Sequence, residues 1–363
     1  MIYKTTIMSR TSKMLEEIRQ QPEALERTLQ SGIKATAKLS RRLKGWKPRM
    51  ILLAARGTSD NAAQFGRYLF EITLGIPTSL AAPSVFTLYD AAVDLSDVLV
   101  IGISQSGESI DINRVLECAK ERGALTAGIT NEAASTMAKL VDCPLLVRAG
   151  REQSVAATKT YTGQIAVLYL LAHALGGRVK LESLRRIPEW AQEALGLEQA
   201  VAGKAERLRF MERAVVVGRG LQYCNAFEFA LKLMETCQVV ADRFSGADFL
   251  HGPIAMVGPS FPVFLFAPAG VTAESTCALF ERLRKSGAET VVFTDRGSQS
   301  SFQAAASTFV LPLSRTASKD EPADLYSTIP YILPAQLFAA SLAQVKHLDP
   351  DAPRGLQKVT RTM

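Results

Sequence analysis

The chain has 363 residues, 42 Lys and Arg against 35 Asp and Glu, and an apolar content of 47%. This excludes a disordered chain and predicts two domains, each burying its own core. The net charge of +7 is dispersed, with short clusters such as Arg41-Arg42 but no basic block interleaved with aromatics, so no nucleic-acid partner is expected.

Residues 1–10 lack an apolar signal-type core, and no run of about 18 uncharged apolar residues is expected to span a membrane, which points to a soluble cytoplasmic protein. Cys118, Cys143, Cys224, Cys237 and Cys277 are an odd number without a CxxC and read as small core residues. With His173, His251 and His347 as the only histidines, no metal centre is expected.

Residues 1–45 read as a helical lead-in. Met14, Leu15 and Ile18, then Leu25 and Leu29, recur at helical spacing, with Pro22 opening a second helix. Apolar runs at 50–55, 98–103 and 125–130 follow, each closed by a Gly or Ser turn and succeeded by a helical pattern, the rhythm of a parallel α/β sheet. The rhythm returns at 214–217, 262–267 and 290–294.

Arg56-Gly57 maps onto Arg219-Gly220 at a shift of 163, and the turn ending at Gly107 maps onto the one ending at Gly270 at the same shift. A constant register predicts a duplicated α/β domain. The expected parts are residues 46–196, 197–345 and a tail at 346–363, with a helical stretch at 182–209 linking the halves. Pro350, Pro353 and Gly355 make the tail irregular.

The turn Ser104-Gln105-Ser106-Gly107-Glu108-Ser109 follows an apolar strand and precedes a helical pattern. Free N–H groups, a helix dipole and three hydroxyls suit a phosphate monoester, although a Ser before a helix is also an ordinary N-cap, and spacing alone leaves the two readings even. The equivalent turn in the second half has no hydroxyl, so the first half is expected to hold the anion. Gly218-Arg219-Gly220 begins a dinucleotide fingerprint, but Tyr223 stands where its third glycine belongs, and no P-loop pattern occurs. No cofactor is expected.

Seven motifs in order resemble the sugar isomerase (SIS) domain family: Glu17-Ile18 with Gln21-Pro22, Arg56-Gly57-Thr58-Ser59, the turn at 104–109, Val155-Ala156-Ala157-Thr158-Lys159, the segment 230–235, His251-Gly252-Pro253 and the tail 351–358. Within the family they are similar to the isomerase half of glucosamine 6-phosphate synthase and to stand-alone glucosamine 6-phosphate deaminases. The resemblance implies two tandem SIS domains, each a flavodoxin-like three-layer α/β/α sandwich around a parallel sheet.

It further implies a phosphosugar ligand, with phosphate on Ser104, Gln105, Ser106 and Ser109 and the sugar near Gly57, Thr58, Ser59, Val155 and Ala156. Glu235 is implied as the base that moves a proton between C1 and C2, His251 as an aid to ring opening, and Lys358 as the amine that meets the carbonyl carbon, with Lys232 beside them. A carboxylate and an amine suit proton transfer and imine formation without a metal. In the family the histidine reaches the neighbouring subunit's site, so a homodimer is implied.

Arg56 stands where the synthase has Cys, Ala157 replaces a serine, and Ser109 stands where Thr is common. The chain starts at Met1-Ile2 without a glutaminase domain, so glutamine-dependent transfer within this polypeptide is not expected. The leading expectation is conversion of glucosamine 6-phosphate to fructose 6-phosphate and ammonia. The alternatives are the reverse, aminotransferase-type reaction, another phosphosugar amine, or a phosphosugar-sensing module. Against the last stand the retained Glu235, His251 and Lys358 and the lack of a preceding helix-turn-helix segment.

Overall fold

The computed structural model describes residues 12–43, 45–313 and 321–358; the outer ends of the expected lead-in and tail, 1–11 and 359–363, lie outside them. Two helices open the chain, α1 (Lys13–Arg19) and α2 (Gln21–Arg42). Pro22 occupies the first turn of α2, where a missing N–H costs nothing. Met14, Ile18, Leu25 and Leu29 are buried, as their spacing predicts.

The first half runs β1 (Met50–Ala54), α3 (Thr58–Leu74), β2 (Thr78–Leu80), α4 (Pro83–Thr87), β3 (Val98–Ile103), α5 (Ile110–Glu121), β4 (Leu125–Thr130), α6 (Thr136–Leu140), β5 (Cys143–Leu146) and α7 (Lys159–Ala174). Its strands are parallel in the order β2-β1-β3-β4-β5. All six residues of β3 are buried, as a strand covered by helices on both faces requires. Sequence reading misses β2 and β5, which are short edge strands with polar Thr78 and Ser79 in one and Pro144 in the other.

Three short helices, α8 (Leu181–Arg185), α9 (Ile187–Leu195) and α10 (Glu198–Arg207), lie in the stretch expected to link the halves. The second half follows: β6 (Arg213–Gly218), α11 (Tyr223–Cys237), β7 (Val240–Ser245), α12 (Gly246–Leu250), β8 (Pro262–Ala267), α13 (Ala273–Lys285), β9 (Glu289–Asp295), β10 (Ser307–Leu311) and α14 (Thr328–Val345). Its sheet order, β7-β6-β8-β9-β10, repeats that of the first half. Two parallel five-stranded sheets of one topology make this a duplicated α/β fold.

The register of 163 holds from β1/β6 to β3/β8, since Leu52 pairs with Val100 and Val215 with Val263, 48 residues on in both halves. It moves to 164 at β4/β9, where Leu99 pairs with Leu125 but Pro262 with Glu289, so one residue enters the second half between β8 and β9.

The expectation of two separate cores is also corrected. Ile51, Leu53, Leu99 and Ile101 from one face of the first sheet share a continuous apolar core with Val216, Phe264, Phe266 and Phe293 of the second. Alternate residues point away: Leu52, Val98 and Val100 pack with α5, and Val215, Val263 and Leu265 with α13. Helix α14 lies in the shared core against α10 and α11. Its 18 residues carry no charge and are long and apolar enough to cross a membrane, contrary to the expectation that no such run exists, but they are mostly buried inside the fold.

Candidate active site

The turn after β3 is fixed from below. Ser104 N–H donates to Ile129 O, Met137 N–H to Gly107 O, and Asn131 N–H to Gln105 O. Gly107 has φ +68°, and a side chain there would run into Ser135 and the Thr130 hydroxyl, so the turn requires glycine. Ser104 Oγ accepts from Gly107 N–H at 3.1 Å and lies 3.1 Å from Ser109 Oγ.

Ser109 precedes α5 but its side chain does not cap the helix. The Ile112 N–H goes instead to Asp111 Oδ1 at 2.9 Å. The capping role that competed with ligand binding for this hydroxyl is therefore not taken up.

The turn forms one wall of a cleft of about 340 Å³. Gly57, Thr58 and Ser59 enter it from the start of α3, Val155 from the loop before α7, Glu235 from α11 and Lys358 from the tail, together with Ser104, Gln105, Ser106 and Ser109. Ten of the thirteen expected site residues thus meet in one place, drawn from both halves and from the tail. Gly57 turns the chain with φ +55°, and its counterpart Gly220 has φ +59°, which preserves the duplicated turn.

Three expected residues lie elsewhere. Ala156 is buried in the shared core, and Ala157 and Thr160 face the cleft instead. Lys232 lies beneath the cleft, fully buried. His251 ends α12 in an exposed position and does not line the cleft of its own chain.

Helix α11 packs against α3 and presents Glu228, Lys232 and Glu235 on one face. Lys232 Nζ lies 3.5 Å from Glu228 Oε1, donates to Glu235 Oε2 at 2.6 Å and donates to Thr58 Oγ1 at 3.2 Å. Thr58 Oγ1 and Asn61 Nδ2 donate to the two oxygens of Glu228 at 3.3 and 2.7 Å. Burial pushes the Glu228 carboxyl up to about 7 against the pull of Lys232 and Asn61. Burial also works against the Lys232 ammonium, but the two carboxylates outweigh it and hold its pKa above the ordinary lysine value. Glu235 is the member of the series that reaches the cleft.

Glu228 and Asn61 escaped sequence reading. The four-residue step from Glu228 to Lys232 was a usable signal, since it puts both on one helical face. Asn61 carried no such signal.

Glu152 was also missed. It is buried and accepts from the N–H groups of Thr158 and Thr160, from the Thr160 hydroxyl at 2.7 Å and from Lys358 Nζ at 3.0 Å. Burial pushes its carboxyl up, but Lys358 and these donors more than offset this and hold it below the usual range. Lys358 Nζ also donates to Ser154 O at 2.6 Å. The supporting loop is held in turn by Glu17 of α1, which accepts from Gln153 N–H and, at 3.2 Å, from Ser154 N–H. Burial draws the neighbouring Lys159 below its ordinary value. No local pattern marks Glu152, because its charged partner lies 206 residues away.

Among the described residues, the equivalent turn of the second half is occupied by side chains of the chain itself. Ala269 N–H, after β8, donates to Asp295 Oδ2 at 2.9 Å, and Tyr331 Oη donates to the same oxygen at 2.9 Å. Asp324 packs against Gly270. A carboxylate of the chain itself takes the Ala269 donor, and the turn carries none of the hydroxyls found at 104–109.

The SIS domain family model matches residues 46–174 and 208–343. Glutamine–fructose-6-phosphate aminotransferases of Methanothermobacter thermautotrophicus and Aquifex aeolicus are each 33% identical over 95% of this chain, which spans 56% and 57% of their lengths. The C-terminal domain of the glucosamine-fructose-6-phosphate aminotransferase of Francisella tularensis superposes with a TM-score of 0.83 at 26% identity, covering 95% of this chain and 99% of that one. A glucosamine-6-phosphate deaminase of Thermotoga maritima shares the fold, with a TM-score of 0.78 at 24% identity over 97% of this chain and all of the other. With two matched regions and two sheets of one topology, the chain belongs to the SIS domain family.

Proposed function

We propose that the chain is a phosphosugar isomerase that deaminates glucosamine 6-phosphate to fructose 6-phosphate and ammonia. The observation that carries this reading is the meeting of an anion-suited serine turn, a half-buried carboxylate and a lysine amine in one cleft of about 340 Å³, in the lower range of small-molecule sites. The phosphate takes Ser104, Gln105, Ser106 and Ser109, and the sugar chain extends past Thr58 toward Glu235.

In the open-chain sugar Glu235 removes the C2 proton and returns it at C1, turning the aldehyde and amine into a ketose imine. Attack by the Lys358 amine at C2 expels ammonia, and water then frees the ketose and the lysine. Lys232, donating to Glu235, holds its carboxylate toward the cleft. His251 is assigned to ring opening in the partner's site within a homodimer, a role that its exposed place at the end of α12 permits.

A second reading is aminotransferase-type synthesis with a separate nitrogen donor, favoured by the aminotransferase activity of the 33% identical relatives. The same base and amine would serve it in reverse. Glu235→Gln separates both enzymatic readings from a sensing module: turnover should fall by about 100-fold or more while phosphosugar binding persists. Undiminished turnover in that variant would overturn the assignment.

A further inference from the structure

Arg56 lies two residues beyond β1 and lines the cleft together with the serine turn. Its Nε donates to Asp111 Oδ2 at 2.7 Å. Asp111 is itself held, because its other oxygen accepts the Ile112 N–H in the first turn of α5 and its side chain is only 5% exposed. One edge of the guanidinium is thereby pinned to the helix that the serine turn opens. The Arg56 side chain is 53% exposed, and its two terminal nitrogens have no acceptor among the described residues.

The other cations near the cleft are committed. Lys358 gives its ammonium to Glu152 and Ser154 O, and Lys232 gives its own to Glu228, Glu235 and Thr58. Gln105 and the three serines offer only neutral donors to an anion. A phosphate monoester bound to the turn alone would also face the Asp111 and Glu235 carboxylates across the same cleft.

We propose that Arg56, oriented by Asp111, is the charged member of the anion subsite and sets the preference for phosphorylated over neutral sugars. This deepens the proposed function and rests on its assignment of the serine turn to phosphate. Asp111 takes one donor of the planar fork and fixes its plane, which leaves a second edge to pair with phosphate oxygens. Lysine cannot divide its donors in this fixed way, so charge alone does not replace arginine here.

The test is calorimetric titration of inorganic phosphate into the full chain and three variants, Arg56→Ala, Arg56→Lys and the double variant Arg56→Ala with Asp111→Asn. Arg56→Ala should weaken phosphate by about 10- to 100-fold, the range of a charge-assisted hydrogen bond. Arg56→Lys should recover only part of this.

The double variant should stay weak, because the missing contact is with the anion. If it binds phosphate as the wild type does, Arg56 merely neutralises Asp111 and the inference is overturned. Unchanged binding in Arg56→Ala, or no phosphate binding by the wild type, overturns it as well.

The titration needs no turnover. A chain that binds phosphate through Arg56 but does not deaminate would leave this inference standing and remove the proposed reaction. A chain that turns over glucosamine 6-phosphate with Arg56→Ala still binding phosphate normally would do the reverse.

Discussion

At the scale of single residues, Glu228 has the clearest measurable consequence. Its carboxyl ionises near pH 7 in the folded protein, against an ordinary value of 4.5, because it is wholly buried between α3 and α11. The folded chain therefore binds more protons than the unfolded chain between those two values. Its contribution to stability is greatest below about 4.5, declines as pH rises and levels off above about 7. Glu17, Asp60 and Asp324, also raised by burial, slope the same way. Glu228→Gln removes one of these contributions, so the urea midpoint of the variant should fall less steeply than that of the wild type from about pH 5 to 7. Parallel profiles would show that Glu228 ionises at its ordinary value.

How far single residues could be read in advance depended on whether their partners were near in the sequence. The serine turn and Thr58-Ser59 are continuous segments at strand ends, and their place in a cleft follows from the parallel sheet. Asp111 and Arg56 are each unremarkable until the fold closes 55 residues of chain and makes them a pair. Glu152 joins the threonines just after it to Lys358 at the far end of the molecule. Ala156 was assigned to the sugar by its motif neighbours, but the backbone turns its methyl into the core and leaves Ala157 in the cleft.

Among elements, the tail is the one whose role depends most on a remote anchor. Asp351 spans the first N–H groups of α1, accepting from Lys13 and Met14 at 2.8 Å each, and so complements the Ser12 cap with a negative charge at the positive end of the helix. Asp351 O also accepts from Val155 N–H, and Pro350 O from the Ser154 hydroxyl. These bonds set the start of the segment that carries Leu356, Gln357 and Lys358 to the cleft.

Asp351→Ala should cost about 1 kcal/mol of stability, as lost caps do, and should loosen the tail. Trypsin, cutting at exposed Arg354, should then act faster on the variant than on the wild type, and saturating phosphosugar should slow it in both. Equal cleavage with and without the sugar would contradict an account in which the tail closes over the ligand.

The longer strands and helices were legible because their apolar spacing is strong, and the duplication was legible from Gly57 and Gly220, which share one left-handed turn. The edge strands β2 and β5 were not, since short segments paired on one side carry little apolar pattern. The one-residue drift between β3/β8 and β4/β9 also escaped, because the connection between two strands absorbs an extra residue without disturbing either of them.

On the scale of the whole molecule, the cleft draws its serine turn from one half and Glu235 from the other. The shared core fixes α11 against α3, so Glu235 reaches a cleft whose serine turn belongs to the other half. The expectation of independent cores failed because one face of each sheet packs into the same apolar cluster.

The proposed homodimer extends the same division of labour to a second chain. Glu235→Gln and His251→Ala should each be inactive alone. When they are unfolded and refolded together, random pairing should restore about a quarter of wild-type activity, since half of the dimers are mixed and each of those holds one intact site. No recovery in dimers shown to be mixed would place His251 outside the partner's site.

The measurement that bears most directly on the central claim is the release of ammonia and fructose 6-phosphate from glucosamine 6-phosphate by the purified chain, with Glu235→Gln beside it. The account predicts equimolar release of both products by the wild type and loss of both in the variant. Binding of the phosphosugar without release of either product would contradict it.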